Sequence, residues 1–279
     1  MGQSLVLAGA AMFETIFRLD GKCAVVTGAG SGFGRAFALA LAEFGASVIC
    51  AGRRVDRLEQ TVATIGQSGG RAAAVQLDVS DEASVESFWR TVAARHGRVD
   101  VLVNNAGISL PPQRTHELSV RDWDDVIATN LRGVFLTTRA GLGQMLPGPG
   151  SIINIASIAG LRGYWPGFPS LAAHYAASKM GVIGFTRQLA AEYAGDSIRA
   201  NAIAAGWHSG TDLIAARRAS APPEAIERFE RELRRRIPMG RRGTSEDLVG
   251  LVVYLASDAS SYVTGQVISH DGGWDAAIA

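Results

Sequence analysis

Tyr175 and Lys179 stand four residues apart in the stretch His174 to Tyr193, whose spacing predicts a helix, so both side chains project from one face. A free phenol, with a pKa of about 10, is a poor acid or base near neutrality, but an ammonium beside it favours the phenolate and makes proton transfer at the oxygen practicable. That is equipment for general acid/base work. Ser157, just past the apolar run Asn154-Ile155-Ala156, adds a hydroxyl suited to hydrogen-bonding and orienting a reacting oxygen. Helices carry Tyr-x3-Lys pairs by chance, so the meaning of this one depends on its company.

The company is a glycine run. Thr27-Gly28-Ala29-Gly30-Ser31-Gly32-Phe33-Gly34 follows an apolar segment and leads into a helical pattern. Backbone amides with no side chains in the way can there face a pyrophosphate at a helix N-terminus. A glycine cluster alone is more often a turn; between the first strand and first helix of an alternating chain it reads as a nucleotide site. The spacing Gly28-x3-Gly32-x-Gly34 differs from the G-x-G-x-x-G of the larger dehydrogenases.

The elements that must hold these residues follow from the apolar pattern. Val- and Ile-rich runs predict seven strands, Cys23 to Thr27, Ser47 to Ala51, Ala72 to Leu77, Asp100 to Val103, Ser151 to Ile155, Ile198 to Ile203 and Gln266 to Ser269. Helical patterns lie between them; in Gly34 to Glu43 and the residue that follows, Phe37, Leu41 and Phe44 mark an inward face. Right-handed crossovers then give an α/β fold, a Rossmann-type doubly wound parallel sheet with helices on both faces. Residues 19–279 read as a single dinucleotide-binding catalytic domain. Residues 1–18 read as a flexible extension, with Met12 as an alternative start. Two segments break the regularity. Gly160 to Ala173 is a loop rich in Gly, Pro and aromatics, and Ala215 to Arg236 is a charged helical pattern with Glu227/Arg231, Glu230/Arg234 and Glu232/Arg236 at i,i+4. The second is either a solvated helix face or part of a substrate lid over 207–240, hinged at Gly206, Gly210 and Gly240.

The glycine spacing, with Asp78, Asn104-Asn105-Ala106-Gly107, Asn130, Ser157, Tyr175-x3-Lys179, Asn201 and Asp271-Gly272-Gly273 in order, resembles the short-chain dehydrogenase/reductase family over roughly Leu19 to Trp274. The resemblance implies hydride transfer between a secondary alcohol or ketone and NAD(P)(H), with Asn130, Ser157, Tyr175 and Lys179 as the catalytic set. It implies a dinucleotide held by Thr27, Gly28, Gly30, Ser31, Gly32, Phe33 and Gly34, and by Asp78, Val79, Asn105, Ala106, Gly107, Gly206 and Thr211. Asp78 would contact the adenine or serve as a strand-end cap. Asn104 would brace the sheet, and Asn130 would open its helix locally and hold a water next to the lysine. Where NAD-preferring members carry an acidic residue, this chain has Gly52 followed by Arg53 and Arg54. Those guanidinium groups suit a 2′-phosphate, so NADP(H) is expected ahead of NAD(H); the other reading is that they begin a solvated helix.

Departures from the family pattern bear on the substrate. The separation of Ser157 and Tyr175 is longer than in the family, and the excess falls between Arg162 and Ser170. Tyr164, Trp165 or Phe168 is expected to line the substrate pocket, unless the loop packs on its own aromatics or on another subunit. The family's Pro-Gly is replaced by Ala205-Gly206-Trp207-His208, which displaces the carboxamide-contacting Thr to Thr211. Trp207 and His208 are candidate substrate contacts, with a turn cap the alternative for His208. The opening Phe-Arg-Leu-Asp-Gly looks like the family's polyol and sugar dehydrogenases, and carbonyl reductases are similar too. The expected substrate is a polyol, sugar or small or aromatic carbonyl compound; the alternatives are a 3-oxoacyl thioester reductase and a non-catalytic cofactor-sensing binder.

Composition narrows the partners. With 27 Lys and Arg against 26 Asp and Glu, the formal charge of +1 gives no reason to expect nucleic acid. No run of about 18 apolar residues suggests a membrane span. Cys23 and Cys50 lie in predicted strands and read as buried hydrophobes, in keeping with a reducing cytoplasm. No metal is expected. By resemblance, helices equivalent to Val120 to Gln144 and His174 to Tyr193 would pair into a homotetramer.

Overall fold

The computed structural model of the protein describes residues 15–111, 113–163, 173–210 and 223–277. Residues 1–14 of the predicted extension, Met12 included, lie outside the described residues, as do Tyr164, Trp165, Phe168 and Thr211.

The strands are β1 Cys23–Thr27, β2 Ser47–Gly52, β3 Arg71–Gln76, β4 Val101–Asn104, β5 Gly150–Ser157, β6 Ile198–Ala205 and β7 Val267–His270. They form one parallel sheet in the order β3-β2-β1-β4-β5-β6-β7. Helices are α1 Gly32–Glu43, α2 Val55–Gln67, α3 Glu82–His96, α4 Val120–Ile127, α5 Gly133–Met145, α6 Ala173–Tyr193, α7 Pro223–Arg236 and α8 Ser245–Ala256. The sheet is buried on both sides because its central strands are largely apolar and alternate between two cores. Ala24 and Val26 of β1, with Val48 and Cys50 of β2, meet Phe37 and Leu41 of α1 and Leu248 and Val252 of α8. Val25 and Ile49 face the other way, toward Phe88 and Trp89 of α3 and Met145 of α5. Each fully buried Val or Ile contributes roughly 1.5–3 kcal/mol, which makes continuous apolar runs worth more here than alternating ones. Burial pushes the Cys23 and Cys50 thiols up to about 11 and about 12, so neither is a nucleophile near neutrality.

The strand order reverses between β1 and β4, and at such a switch point the loops leaving the two carboxyl ends diverge to open a crevice. The predicted helix from Val120 to Gln144 is divided. One π-helical turn, Ala128–Arg132, separates α4 from α5. The extra residue in that turn brings Asn130 inward, where it is fully buried.

The charged segment needs a correction. Glu227 pairs with Arg231 and Glu232 with Arg236, as the i,i+4 spacing predicts. Glu230, however, pairs with Arg242 at 2.9 Å with little of either side chain exposed, so this side of α7 is not a solvated face. At the other end of the chain, Ile16 accepts a backbone hydrogen bond from Ala259 and Arg18 Nη1 donates to the Glu43 carbonyl at 3.4 Å, which docks Ile16 to Arg18 on the domain. Among the described residues no helix is long and apolar enough to cross a membrane.

Candidate active site

A cavity of about 540 Å³ opens along the carboxyl ends of β1, β4, β5 and β6. At one end lie Arg53, Arg54 and Asp78, in the middle the turn from Gly28 to Phe33, and at the other end Ser157, Tyr175, Lys179, Trp207 and His208. Val79, Asn105, Ala106, Gly107 and Gly206 also line it. The structure thus gathers most of the described members of both predicted groups into one crevice.

The glycine turn is shaped by backbone demands. Gly28 and Gly32 adopt φ of +70° and +50°, and a Cβ on Gly34 would lie 2.2 Å from the Gly28 carbonyl oxygen. The first amides of α1 have no intrahelical partner, and the side chain of its N-cap, Ser31, caps none of them. Ser31 instead accepts a bond from Arg54 Nη2 at 3.2 Å, which brings that guanidinium beside the turn. Exposed amides, a helix N-terminus and flanking arginines fit a dinucleotide phosphate. Thr27 is a brace, because its Oγ1 accepts from the amides of Asn105 and Ala106 at 2.9 Å and so ties the end of β1 to the end of β4. Asn105 Nδ2 returns a bond to the Thr27 carbonyl at 2.8 Å. Asp78 accepts from the amide and hydroxyl of Ser80, a local cap on an acid that also lines the cavity. Asn104 donates to Asn154 and Thr138, which braces β4 against β5 and α5.

At the other end, α6 carries Tyr175 and Lys179 one turn apart, with Lys179 Nζ 5.6 Å from the Tyr175 ring centroid. Both are buried, and Nζ donates to the Ile155 carbonyl at 2.7 Å. Ser157 sits at the end of β5, its Oγ accepting from the Ala159 amide at 3.2 Å. Asn130 clasps Ile108 by both its amide and its carbonyl, each at 2.8 Å. A methyl on Gly107 would stand 3.2 Å from Asn130 Oδ1 and 3.7 Å from Lys179 Nζ, so that glycine keeps the space between them open. His208 is buried with Nδ1 3.1 Å from the Gly206 carbonyl and Nε2 3.1 Å from His270 Nδ1. Burial holds its imidazole below the usual pKa, and its ring meets Phe33 edge to face.

Burial also pushes the Lys179 ammonium down to about 8. A lysine with a lowered pKa loses its proton earlier as pH rises, so the charge beside Tyr175 should fade through about pH 8. A reaction that draws on this charge should slow above that value, read as a fall in kcat/KM, which reports the free enzyme. Lys179→Arg should move the fall upward, because a guanidinium keeps its charge. A profile unchanged by Lys179→Arg would count against this origin.

Sequence reasoning missed several wall residues. Ile108, Ser109, Leu110 and Thr129 line the cavity without belonging to any motif, and the Ile155 carbonyl that holds Lys179 is backbone. His270 and Arg242 are placed beside the site only by the pairing of β7 with β6 and the return of the chain after α7.

The sheet order, the glycine turn at the switch point and the Tyr-Lys helix define a nicotinamide-dependent oxidoreductase, and the chain belongs to the short-chain dehydrogenase/reductase family. Residues 28–275 match the family described as Enoyl-(Acyl carrier protein) reductase. The chain is an oxidoreductase of CH–OH groups, an alcohol dehydrogenase or ketone reductase. It is 40% identical over 257 residues to the 3-oxoacyl-(acyl-carrier-protein) reductase of Thermotoga maritima, covering 92% of this chain and 98% of that relative. It is 37% identical over 265 residues to the 2-dehydro-3-deoxy-D-gluconate 5-dehydrogenase of Escherichia coli, covering 94% and 99%. A solved gluconate 5-dehydrogenase from Burkholderia cenocepacia, in complex with NADP and tartrate, superposes with a TM-score of 0.86 at 34% identity, covering 95% of this chain and 99% of that one.

Proposed function

We propose that the protein interconverts a secondary alcohol and its ketone with Tyr175 as general acid and base, using NADP(H) in preference to NAD(H), on a polyol, sugar or small or aromatic carbonyl compound. The observation that carries this is the placing of Tyr175, Lys179 and Ser157 at one end of the cavity whose middle is the glycine turn. When bound, the nicotinamide supplies or takes up a hydride at the carbinol carbon. In reduction Tyr175 Oη gives its proton to the substrate oxygen, and in oxidation it takes the hydroxyl proton. Ser157 Oγ hydrogen-bonds the same oxygen and fixes its direction. Lys179 favours the phenolate and has donors beyond the one on Ile155 for a ribose hydroxyl. Asn130 holds the Ile108 segment that walls the same end.

Support for the substrate class comes from the sugar-acid dehydrogenases among the relatives and from a cavity lining that includes both the aromatic Trp207 and the polar Ser109. Spectrophotometry of NADPH oxidation and NADP+ reduction against a panel of ketones, polyols, sugars and one 3-oxoacyl thioester tests the reading. Turnover confined to the thioester would replace it with the acyl-reductase alternative.

For the cofactor, Arg53 and Arg54 line the end of the cavity next to Gly52, where a carboxylate would repel a 2′-phosphate. Arg53→Ala should weaken NADPH binding about tenfold, the 1–2 kcal/mol scale of a charge-assisted hydrogen bond, and leave NADH binding unchanged. Fluorescence titration with both cofactors reads this directly; equal losses for both would remove Arg53 from the 2′-phosphate site.

The proposal extends to a cytoplasmic homotetramer. Trp123 of α4, Phe135 of α5 and Met180 of α6 are large apolar side chains left 38%, 43% and 48% exposed on neighbouring helices. Light scattering should give a mass near four chains, and a mass near one chain would overturn the assembly.

A further inference from the structure

The Arg242–Glu230 pair has no part in the proton chemistry, yet its surroundings touch the substrate end of the cavity. Arg242 Nε and Nη2 donate to the two carboxylate oxygens of Glu230, each at 2.9 Å, and the side chains are only 9% and 13% exposed. The guanidinium carbon lies 5.9 Å from the Trp207 ring centroid and 5.5 Å from that of Phe229. Trp207 meets Phe229 nearly edge to face at 5.7 Å and Trp274 at 5.8 Å. Trp207 is also cavity wall, beside His208. The backbone adds a link, since the amide next to Arg242, that of Gly243, donates to the Trp207 carbonyl at 3.0 Å.

A buried ion pair is a poor source of stability, because desolvation offsets most of its attraction and an apolar pair of similar volume would hold α7 as well. What it adds is direction. A planar fork bound at two points fixes the rotation of the guanidinium, whose carbon lies over the indole. We propose that Arg242, held by Glu230, is a positioning residue that sets the Trp207 indole against the substrate end of the cavity. The indole then offers a flat apolar wall to the carbon face of the alcohol or ketone. The kinetic consequence rests on the reaction proposed above; the structural one does not.

The test uses the full-length protein with NADPH and the best ketone of the panel. Arg242→Met removes the fork and keeps an apolar stem over the rings. Because it takes away the guanidinium that grips the Glu230 carboxylate at two points, the double variant E230Q/R242M, which removes both charges, accompanies it. In the folded double variant KM for the ketone should rise about tenfold, with kcat and the NADPH dissociation constant within about twofold of wild type, the mark of lost substrate binding. Arg242→Lys should restore little of this, since an ammonium lacks the fork. Hydrogen exchange should quicken over residues 207–209 and α7 and stay unchanged over α1 and α6. An unchanged KM, or KM and the NADPH constant rising together, overturns the proposal. So does unchanged exchange over 207–209. Should wild type reduce no ketone on the panel, the exchange result alone decides: quickening there supports the positioning role and faults only the reaction assignment.

Discussion

Tyr175→Phe should bind NADP(H) as tightly as the wild type and turn over slower by a factor on the order of a hundred or more, the usual scale for losing a general acid/base. The substitution deletes one oxygen from a buried side chain whose ring packs beneath Lys179 Nζ, and the ring itself is kept. Cofactor affinity should therefore survive, because the phosphate cradle proposed above is built by α1 and the end of β1. Parallel fluorescence titration and steady-state assay separate the two effects. Near-normal turnover in Tyr175→Phe would dismiss the tyrosine from proton transfer.

Gly34→Ala should lower NADPH affinity by more than tenfold and destabilise the fold by roughly 1–3 kcal/mol or more, as over-packing against rigid atoms does. The added Cβ would stand 2.2 Å from the Gly28 carbonyl oxygen and 2.5 Å from Asn105 Nδ2. Neither can yield cheaply. Gly28 already holds a φ of +70°, and Asn105 is tied to the Thr27 carbonyl. Gly66 is the natural control, since it lies in α2 with nothing within 4 Å of where a methyl would stand, and Gly66→Ala should be neutral or slightly stabilising. Thermal unfolding and cofactor titration on both variants check the pair. Wild-type affinity and midpoint for Gly34→Ala would contradict the packing described for the turn.

Much of this could be read before any coordinates because it rests on local, repeating features. A strand buried on both faces is apolar along most of its length, so β1, β2, β4 and β5 stand out as Val- and Ile-rich runs, and the glycine turn stands out because steric crowding leaves no other residue type at Gly34. Tyr175 and Lys179 share one helix, so their proximity follows from helical rise alone. Less legible were contacts that depend on where distant segments return. Strands β5 and β6 extend to Ser157 and Ala205 because they pair along their whole length, and no local signal marks those ends. Asn130 reaches Ile108 through a π-helical turn whose residues look like ordinary helix. Glu230 has Arg234 in the right place for a surface pair and takes Arg242 instead, because the chain beyond α7 brings a guanidinium over the Trp207 and Phe229 rings, where little of the pair is exposed. Periodicity describes one helix at a time and carries nothing about what covers it.

The most direct measurement is a crystal structure of the wild-type enzyme with NADP+ and an alcohol it oxidises slowly. The expected result has Tyr175 Oη and Ser157 Oγ both within hydrogen-bond reach of the alcohol oxygen, Lys179 Nζ on the nicotinamide ribose and the carbinol carbon facing the nicotinamide ring. A nicotinamide ring bound away from Tyr175, or an alcohol oxygen held by other groups, would contradict the mechanism.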